Sequence, residues 1–196
     1  MERIRKATSA DAEFIAKMVI MALHMEKEGE EGERLLRHIT ELVMDEGSLY
    51  HWSRAVVIDD VGACVAYDGA DYHPRRVRSF SFVCSDGLPI MEDNTALLAQ
   101  PDETQAGEYY IDSLAIMPEY RGKGYGRLFL QHAVKEGTAI GLVPYLLVDP
   151  TNTGAVRLYS SLGFEGESTL HVFGTDFMKM KYTEGATRKD KQPDNA

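Results

Sequence analysis

The chain is 196 residues long and 44% hydrophobic, with 31 acidic residues against 21 basic ones and a formal net charge of −10. That length and apolar content can build one good core, most simply a single domain. The acidic balance argues against a general nucleic-acid or polyanion binder and suits a cationic partner such as an amine.

Residues 3–7 read as a short first strand. Thr8 and Ser9 offer N-caps, Asp11 and Glu13 fall in the first turn, and Phe14, Ile15, Met18, Val19, Ala22 and Leu23 recur at helical spacing. This predicts an amphipathic helix over 10–25. The acidic run from Glu26 to Glu33 reads as a solvated loop or helix end. Leu35, Leu36, Ile39, Leu42 and Val43 mark a second helix ending near Gly47. Residues 54–59 and 61–67 form a predicted hairpin turning at Asp59-Asp60. From 69 to 106 the pattern breaks down. This stretch holds Arg75, Arg76 and Arg78, a strand candidate at Phe80–Val83 and a helical candidate near 90–99. It is assigned as an insertion ahead of the central strand, its arginines on a solvated loop, and such insertions often shape substrate sites.

The run from Tyr109 to Met117 is β-branched and aromatic, as in a buried strand. A short turn follows with Pro118 and glycines at 122, 124 and 126, then a helix whose apolar face is Leu128, Phe129, Leu130, Ala133 and Val134. Residues 144–150 predict another buried strand, and a helix from Asn152 to Leu162 ends at Gly163, suited to a left-handed C-terminal turn. The last predicted strand alternates at Met178–Tyr182. The polar tail, 183–196, is expected to be disordered. This order of elements implies an α/β domain with a mixed sheet flanked by helices. Cys64 and Cys84 have neither metal nor disulfide-framework spacing and read as buried free thiols in a reducing cytosol. The histidines form no close ligand spacing, so no metal site is expected. The N-terminus lacks the apolar core of a signal peptide and no apolar run is long enough to span a bilayer, so a cytoplasmic protein is expected.

A glycine-rich turn between strand and helix leaves backbone N–H groups uncovered and aims them, with the positive end of the helix dipole, at one point. Such a turn binds phosphate. The glycine spacing does not fit the G-x-G-x-x-G dinucleotide fingerprint, and the G-x-x-x-x-G-K-[ST] pattern is absent. A lone glycine turn can also be no more than a turn. Two further segments change the balance. The stretch Leu114-Ala115-Ile116-x-Pro118-x-Tyr120-Arg121 leads into Arg121-x-x-Gly124-x-Gly126, and Asn152-x-x-Ala155-x-x-Leu158-Tyr159-x-x-Leu162-Gly163-Phe164 follows after room for one helix and one strand. Together they resemble the signature of the GNAT superfamily of acyl-CoA-dependent N-acetyltransferases, most strongly across 109–165.

The resemblance implies a GNAT-like fold: a central mixed, mostly antiparallel twisted sheet flanked by helices, over residues 1–182. It implies acetyl-CoA as co-substrate, with backbone amides of Arg121, Gly122, Lys123, Gly124, Tyr125 and Gly126 around the coenzyme A pyrophosphate. The Arg121 and Arg127 side chains would add positive charge. Main-chain groups along Leu114, Ala115 and Ile116 would pair with the pantetheine arm as an added strand, and Asn152 and Ala155 belong to the later coenzyme motif. In the family the tyrosine at the position of Tyr159 commonly faces the coenzyme sulfur, where a phenol can donate to the leaving thiolate; the competing reading is core packing. Glu108, Tyr110 and Asp112 share one strand face. Family members often carry a glutamate where Tyr110 stands, so Asp112 becomes the first candidate base and Glu108 the second, the alternative for Asp112 being a backbone hydrogen bond. The implied function is direct acetyl transfer to an amine, a small molecule in the first instance or a protein amine, with dimerisation plausible. The rival is a non-catalytic acyl-CoA-binding sensor or partner module.

Overall fold

The structure is a computed structural model and describes residues 3–91 and 95–184. In chain order the elements are β1 (Arg5–Lys6), α1 (Ala12–Ala22), α2 (Gly29–Met44), β2 (Ala55–Ile58), β3 (Gly62–Asp68), α3 (Tyr72–Phe80), α4 (Thr95–Leu98), β4 (Glu108–Ile116), α5 (Tyr125–Ala139), β5 (Val143–Val148), α6 (Thr153–Ser160), β6 (Phe164–Val172) and β7 (Thr175–Tyr182). The strands form one seven-stranded sheet in the order β1-β2-β3-β4-β5-β7-β6. Every neighbouring pair is antiparallel except β4 and β5, which α5 connects as a parallel crossover.

Strand alternation divides the core into two layers. On one face Ala63, Val65, Tyr67, Tyr110, Ala115 and Tyr145 meet Ile15, Met18 and Val19 of α1 and Ile39, Leu42 and Val43 of α2. On the other, Cys64, Ala66, Ile111, Leu146 and Val148 meet Phe129, Leu130 and Ala133 of α5. Phe129 and Leu130 have no exposed surface, and burying each contributes roughly 1.5–3 kcal/mol. Thr8 and Asp11 cap the entry to α1 reciprocally, the Thr8 N–H donating to Asp11 Oδ2 at 2.7 Å.

The structure departs from the sequence reading in three places. The acidic run at 26–33 is largely helix, because α2 begins at Gly29. The pattern-poor stretch at 69–106 carries α3, with Pro74 in the first turn, where a missing N–H is harmless. Its arginines are not a solvated loop. Arg75 Nη1 donates to Glu46 O at 2.9 Å, Arg78 bonds Asp45 through Nε and Nη2 at 2.9 Å each, and Arg76 is 1% exposed with Nη1 on Gln100 O at 2.7 Å. The Phe80–Val83 strand reduces to one bridge between Val83 and Pro89, and the helix near 90–99 to α4, with 92–94 outside the described residues. The third departure is β6, a strand with no sequence counterpart: it is an edge strand whose middle is exposed and polar, so it shows no apolar alternation. The tail expected to be disordered lies outside the described residues from 185 onward. No helix among the described residues is long and apolar enough to cross a membrane.

One buried ion pair ties the base of β4 to β7. Lys179 Nζ donates to both Glu108 oxygens, at 3.0 and 2.8 Å, and Thr104 Oγ1 donates to Glu108 Oε2 at 2.8 Å. The two side chains are 14% and 8% exposed. Removing one partner strands a buried charge. Lys179→Met is therefore expected to cost about 3–5 kcal/mol in urea denaturation, and the double change with Glu108→Leu to recover most of it.

Candidate active site

The site is made where β4 and β5 part. Their parallel pairing runs from Glu108↔Val143 to Ile111↔Leu146 and stops, although β4 continues to Ile116 and β5 to Val148. A β-bulge in β4 sits at the same level. Its register against β3 jumps from Val65↔Ser113 to Ala66↔Ile111, leaving Asp112 without a partner. The extra residue reverses the alternation: Tyr110 and Ala115, five residues apart, both face the α1/α2 layer, while Leu114 and Ile116 face the α5 layer. A bulge bends its strand and re-aims side chains.

Beyond the bulge β4 has one open edge. The Met117 N–H donates to Val61 O at 2.8 Å. Antiparallel alternation then turns the main-chain groups of Ala115 towards β3 and those of Leu114 and Ile116 towards the gap. The turn from β4 to α5 closes the end of this gap. Gly122 and Gly124 have φ of 74° and 89°, which glycine adopts freely and other residues do not. Gly124 is the N-cap of α5, so the first-turn N–H groups, which have no carbonyl one turn back, point out of the turn. Arg121 fixes the turn to the strand, its Nε donating to Ile116 O at 3.0 Å, and its own N–H is used by Pro118 O at 3.2 Å. The N–H cradle thus starts at Gly122 and not at Arg121. Arg127 Nη2 reaches Ser161 Oγ at 2.7 Å and clamps α5 to the end of α6. Lys123 Nζ lies 5.2 Å from the Tyr120 ring centroid.

The last turn of α1 reaches the glycine turn. Arg121 Nη2 lies 3.5 Å from Met21 Sδ. Across the gap, Thr151 holds the Asp149 carboxyl below its ordinary value, and His24 adds to the effect. On α6, Asn152 Oδ1 accepts from the Ala155 N–H at 3.1 Å, so Asn152 is the N-cap of that helix. Tyr159 packs in the α5-side layer with Leu114 and Ile116, its ring 6.3 Å from that of Phe164. Burial, then the neighbouring Cys64, raises its phenol to about 12. Its hydroxyl has no hydrogen-bond partner among the described residues.

On the opposite face lies a cluster of acids and tyrosines. Asp112 accepts from Tyr67 Oη and, at 2.8 Å, from Ser113 Oγ. Burial, then the charge of Glu103, pushes its carboxyl up to about 7, against which the Tyr67 and Ser113 donors pull only in part. Glu103 accepts from Tyr72 Oη at 2.8 Å and from Tyr110 Oη at 2.5 Å. A carboxylate thus reaches the neighbourhood of Tyr110 from the 69–106 stretch instead of from the strand. Glu108 is on the same face, but its carboxylate is taken up by Lys179, Thr104 and, at 3.4 Å, Gln105. Glu103 carried no sequence signal. Nor did Tyr67, whose pairing with Tyr110 is a long-range β3–β4 contact. Among the described residues no group of three or more His, Cys, Asp or Glu is placed to hold a metal.

Residues 87–164, from the late insertion through α6, match the model of the Acetyltransferase (GNAT) family. The ribosomal protein bS18-alanine N-acetyltransferase of Salmonella typhimurium is 37% identical over 59 residues, which are 30% of this chain and 39% of that enzyme. A crystal structure of an acetyltransferase is 25% identical, with a TM-score of 0.71 over 92% of this chain and 98% of its own. An N-acetyltransferase from Staphylococcus aureus Mu50 shares the fold at 21% identity, with a TM-score of 0.75 over 91% and 99% of the two chains.

The glycines of the turn differ in what they require. At Gly124 a side chain meets no neighbour within 4 Å but must adopt a left-handed backbone. At Gly126 a Cβ would lie 3.5 Å from Leu158 Cδ2, an ordinary contact, on a helical backbone. Gly124→Ala is expected to cost about 1–2 kcal/mol, whereas Gly126→Ala should be neutral or stabilising by up to about 1 kcal/mol. Chemical denaturation of the two variants checks the opposite signs.

Proposed function

We propose that this protein transfers the acetyl group of acetyl-CoA directly to a primary amine. The single observation that carries the reading is the open edge of β4 beyond the bulge, ending at a turn of outward-facing N–H groups. The groups fit the coenzyme: a diphosphate suits the N–H donors of Gly122, Lys123, Gly124 and Gly126 at the positive end of α5. An amide-bearing arm suits the unpaired main-chain groups of Leu114 and the Ile116 N–H, as an added strand suits a sheet edge. Asn152 and Ala155 start α6 beside the same gap. Both segments lie within the residues that match the family model.

The reaction then asks two things of the side chains. An alkylamine arrives as an ammonium and must lose a proton before its nitrogen can attack the thioester carbonyl carbon. Asp112, raised to about 7, is divided between its two forms near neutral pH and is matched to accept that proton. As the new C–N bond forms and the C–S bond breaks, negative charge develops on sulfur. Tyr159, at about 12, stays protonated throughout. Because a thiol is the stronger acid, at about 8.5, full transfer from this phenol is uphill, and its role is a hydrogen bond to the leaving sulfur. A backbone N–H at the bulge serves the carbonyl oxygen in the manner of an oxyanion hole. Overall, ammonium and thioester give amide, thiol and one released proton. Glu108 takes no part in this scheme, since its carboxylate holds Lys179.

The acceptor is a small amine in the first instance, with a protein amine, as in the bS18 enzyme, the other possibility. The two unpaired buried cysteines fit a reducing, cytoplasmic setting. The test is an amine-panel assay of coenzyme A release. The wild-type rate should rise with pH through about 7 as Asp112 loses its proton, then level off. Asp112→Asn should lower turnover by about 100-fold or more and remove that limb. Tyr159→Phe should lower turnover by about 100-fold with the same pH profile and unchanged acetyl-CoA affinity. Tight acetyl-CoA binding with no transfer to any amine would instead establish a sensor.

A further inference from the structure

The cluster of tyrosines and acids has a charge problem that the hydrogen bonds around it do not solve. Glu103 and Asp112 act on each other electrostatically. Their oxygens accept only hydroxyl hydrogens, from Tyr72, Tyr110, Tyr67 and Ser113. Neither is paired with a lysine, arginine or histidine among the described residues, although the third carboxylate of this face, Glu108, has its lysine. Carboxylates in a part-buried place are normally paired with a cation. A cationic ligand meets that need.

A second observation points into the same place. Tyr50, in the segment after α2, is 8% exposed, and the charges of Asp112 and Glu103 both act on its phenol. Its hydroxyl makes no hydrogen bond among the described residues, while the hydroxyls of Tyr67, Tyr72 and Tyr110 are all engaged. The side chain is buried, but its oxygen is not among the fully buried unpartnered atoms, so this free hydroxyl keeps contact with solvent and can serve a ligand. The rings around it are set edge to face, with Tyr67 and Tyr72 centroids 6.0 and 6.2 Å from that of Tyr110.

We propose that Tyr50, Glu103 and Asp112 form an ammonium-binding subsite that receives the nitrogen end of the acceptor, a primary amine on an unbranched methylene chain. The proposal rests on the acetyl-transfer reading for what happens to the nitrogen next, but the binding itself does not need the coenzyme. Glu103 and Tyr50 bind and orient the ammonium, and Asp112 takes its proton. The unbranched chain follows from enclosure: Tyr67, Tyr72 and Tyr110 are 4% exposed or less, so only a slender group reaches the acids. An α-ammonium on a branched carbon, as at a peptide N-terminus, is bulkier at the first atom. The 69–106 stretch, which supplies Glu103 and Tyr72, thereby acts as the specificity element.

Calorimetric titration of the full-length protein with n-butylammonium chloride, alone and saturated with coenzyme A, tests this. Controls are n-butanol, sec-butylammonium and alaninamide. The wild type should bind n-butylammonium saturably and n-butanol not at all, with the branched amines at least about tenfold weaker. Glu103→Gln should weaken n-butylammonium about tenfold or more. Tyr50→Phe should weaken it about threefold to tenfold, both variants keeping wild-type circular dichroism, melting and coenzyme affinity. Equal binding by folded wild type and both variants would overturn the proposal, as would no heat with n-butylammonium. Equal affinity for alaninamide would overturn the unbranched-chain assignment. Absent coenzyme binding with intact, Glu103-dependent ammonium binding would instead remove the transfer reading and leave the subsite standing.

Discussion

Two parallel strands that pair for four residues and then separate set the terms for everything else in this protein. A continuous β4–β5 ladder would satisfy the main-chain groups of Leu114 and Ile116 internally and leave no edge for a ligand. The bulge at Asp112 prevents it. It bends β4 away from β5, shifts the alternation so that Leu114 and Ile116 line the α5 side, and puts Asp112 and Ser113 next to each other on the α1/α2 side. One inserted residue therefore supplies both a binding edge and a carboxylate beside it.

The surrounding structure holds that separation open. Below the bulge the Glu108–Lys179 pair binds β4 to β7 across β5. Above it, Arg121 ties the glycine turn to Ile116 O. Arg127 joins α5 to α6 through Ser161, and Met21 brings the last turn of α1 against Arg121. Arginines that the sequence places on a solvated loop are used in such internal work: Arg75 and Arg78 brace α3 against the end of α2, and Arg76 is buried among the backbone it supports.

How much of this was legible in the sequence follows from which residues carry periodic or motif signals. The two core layers were readable because α1 and α5 have one apolar face each while β3 and β4 are apolar on both, and the glycine turn because Gly122 and Gly124 are required by backbone geometry, whatever surrounds them. The motif at 152–164 placed α6 for the same reason: Asn152 caps it and Gly163 ends it with a φ of 98°. The edge strand β6 was not legible, since an exposed edge favours polar residues such as Glu165 and Glu167. Nor was α3, whose buried polar partners Tyr72, Arg76 and Ser79 leave no apolar stripe. The bulge is invisible to alternation counted from one end, and Glu103 could not be found at all: it enters the site from a segment without periodicity and is recognised only by the two phenols that bind it. The polar half of the candidate site is a product of tertiary contact, while the half at the glycine turn is local.

The central claim is that the unpaired edge of β4 and the turn beyond it receive one extended ligand. It is tested most directly by backbone amide chemical shifts followed by NMR during titration with coenzyme A. The account predicts that the largest changes fall together on Leu114, Ile116, Gly122 and Gly124, at one common affinity. Saturation with those amides unmoved, or with the changes centred elsewhere on the sheet, would contradict it.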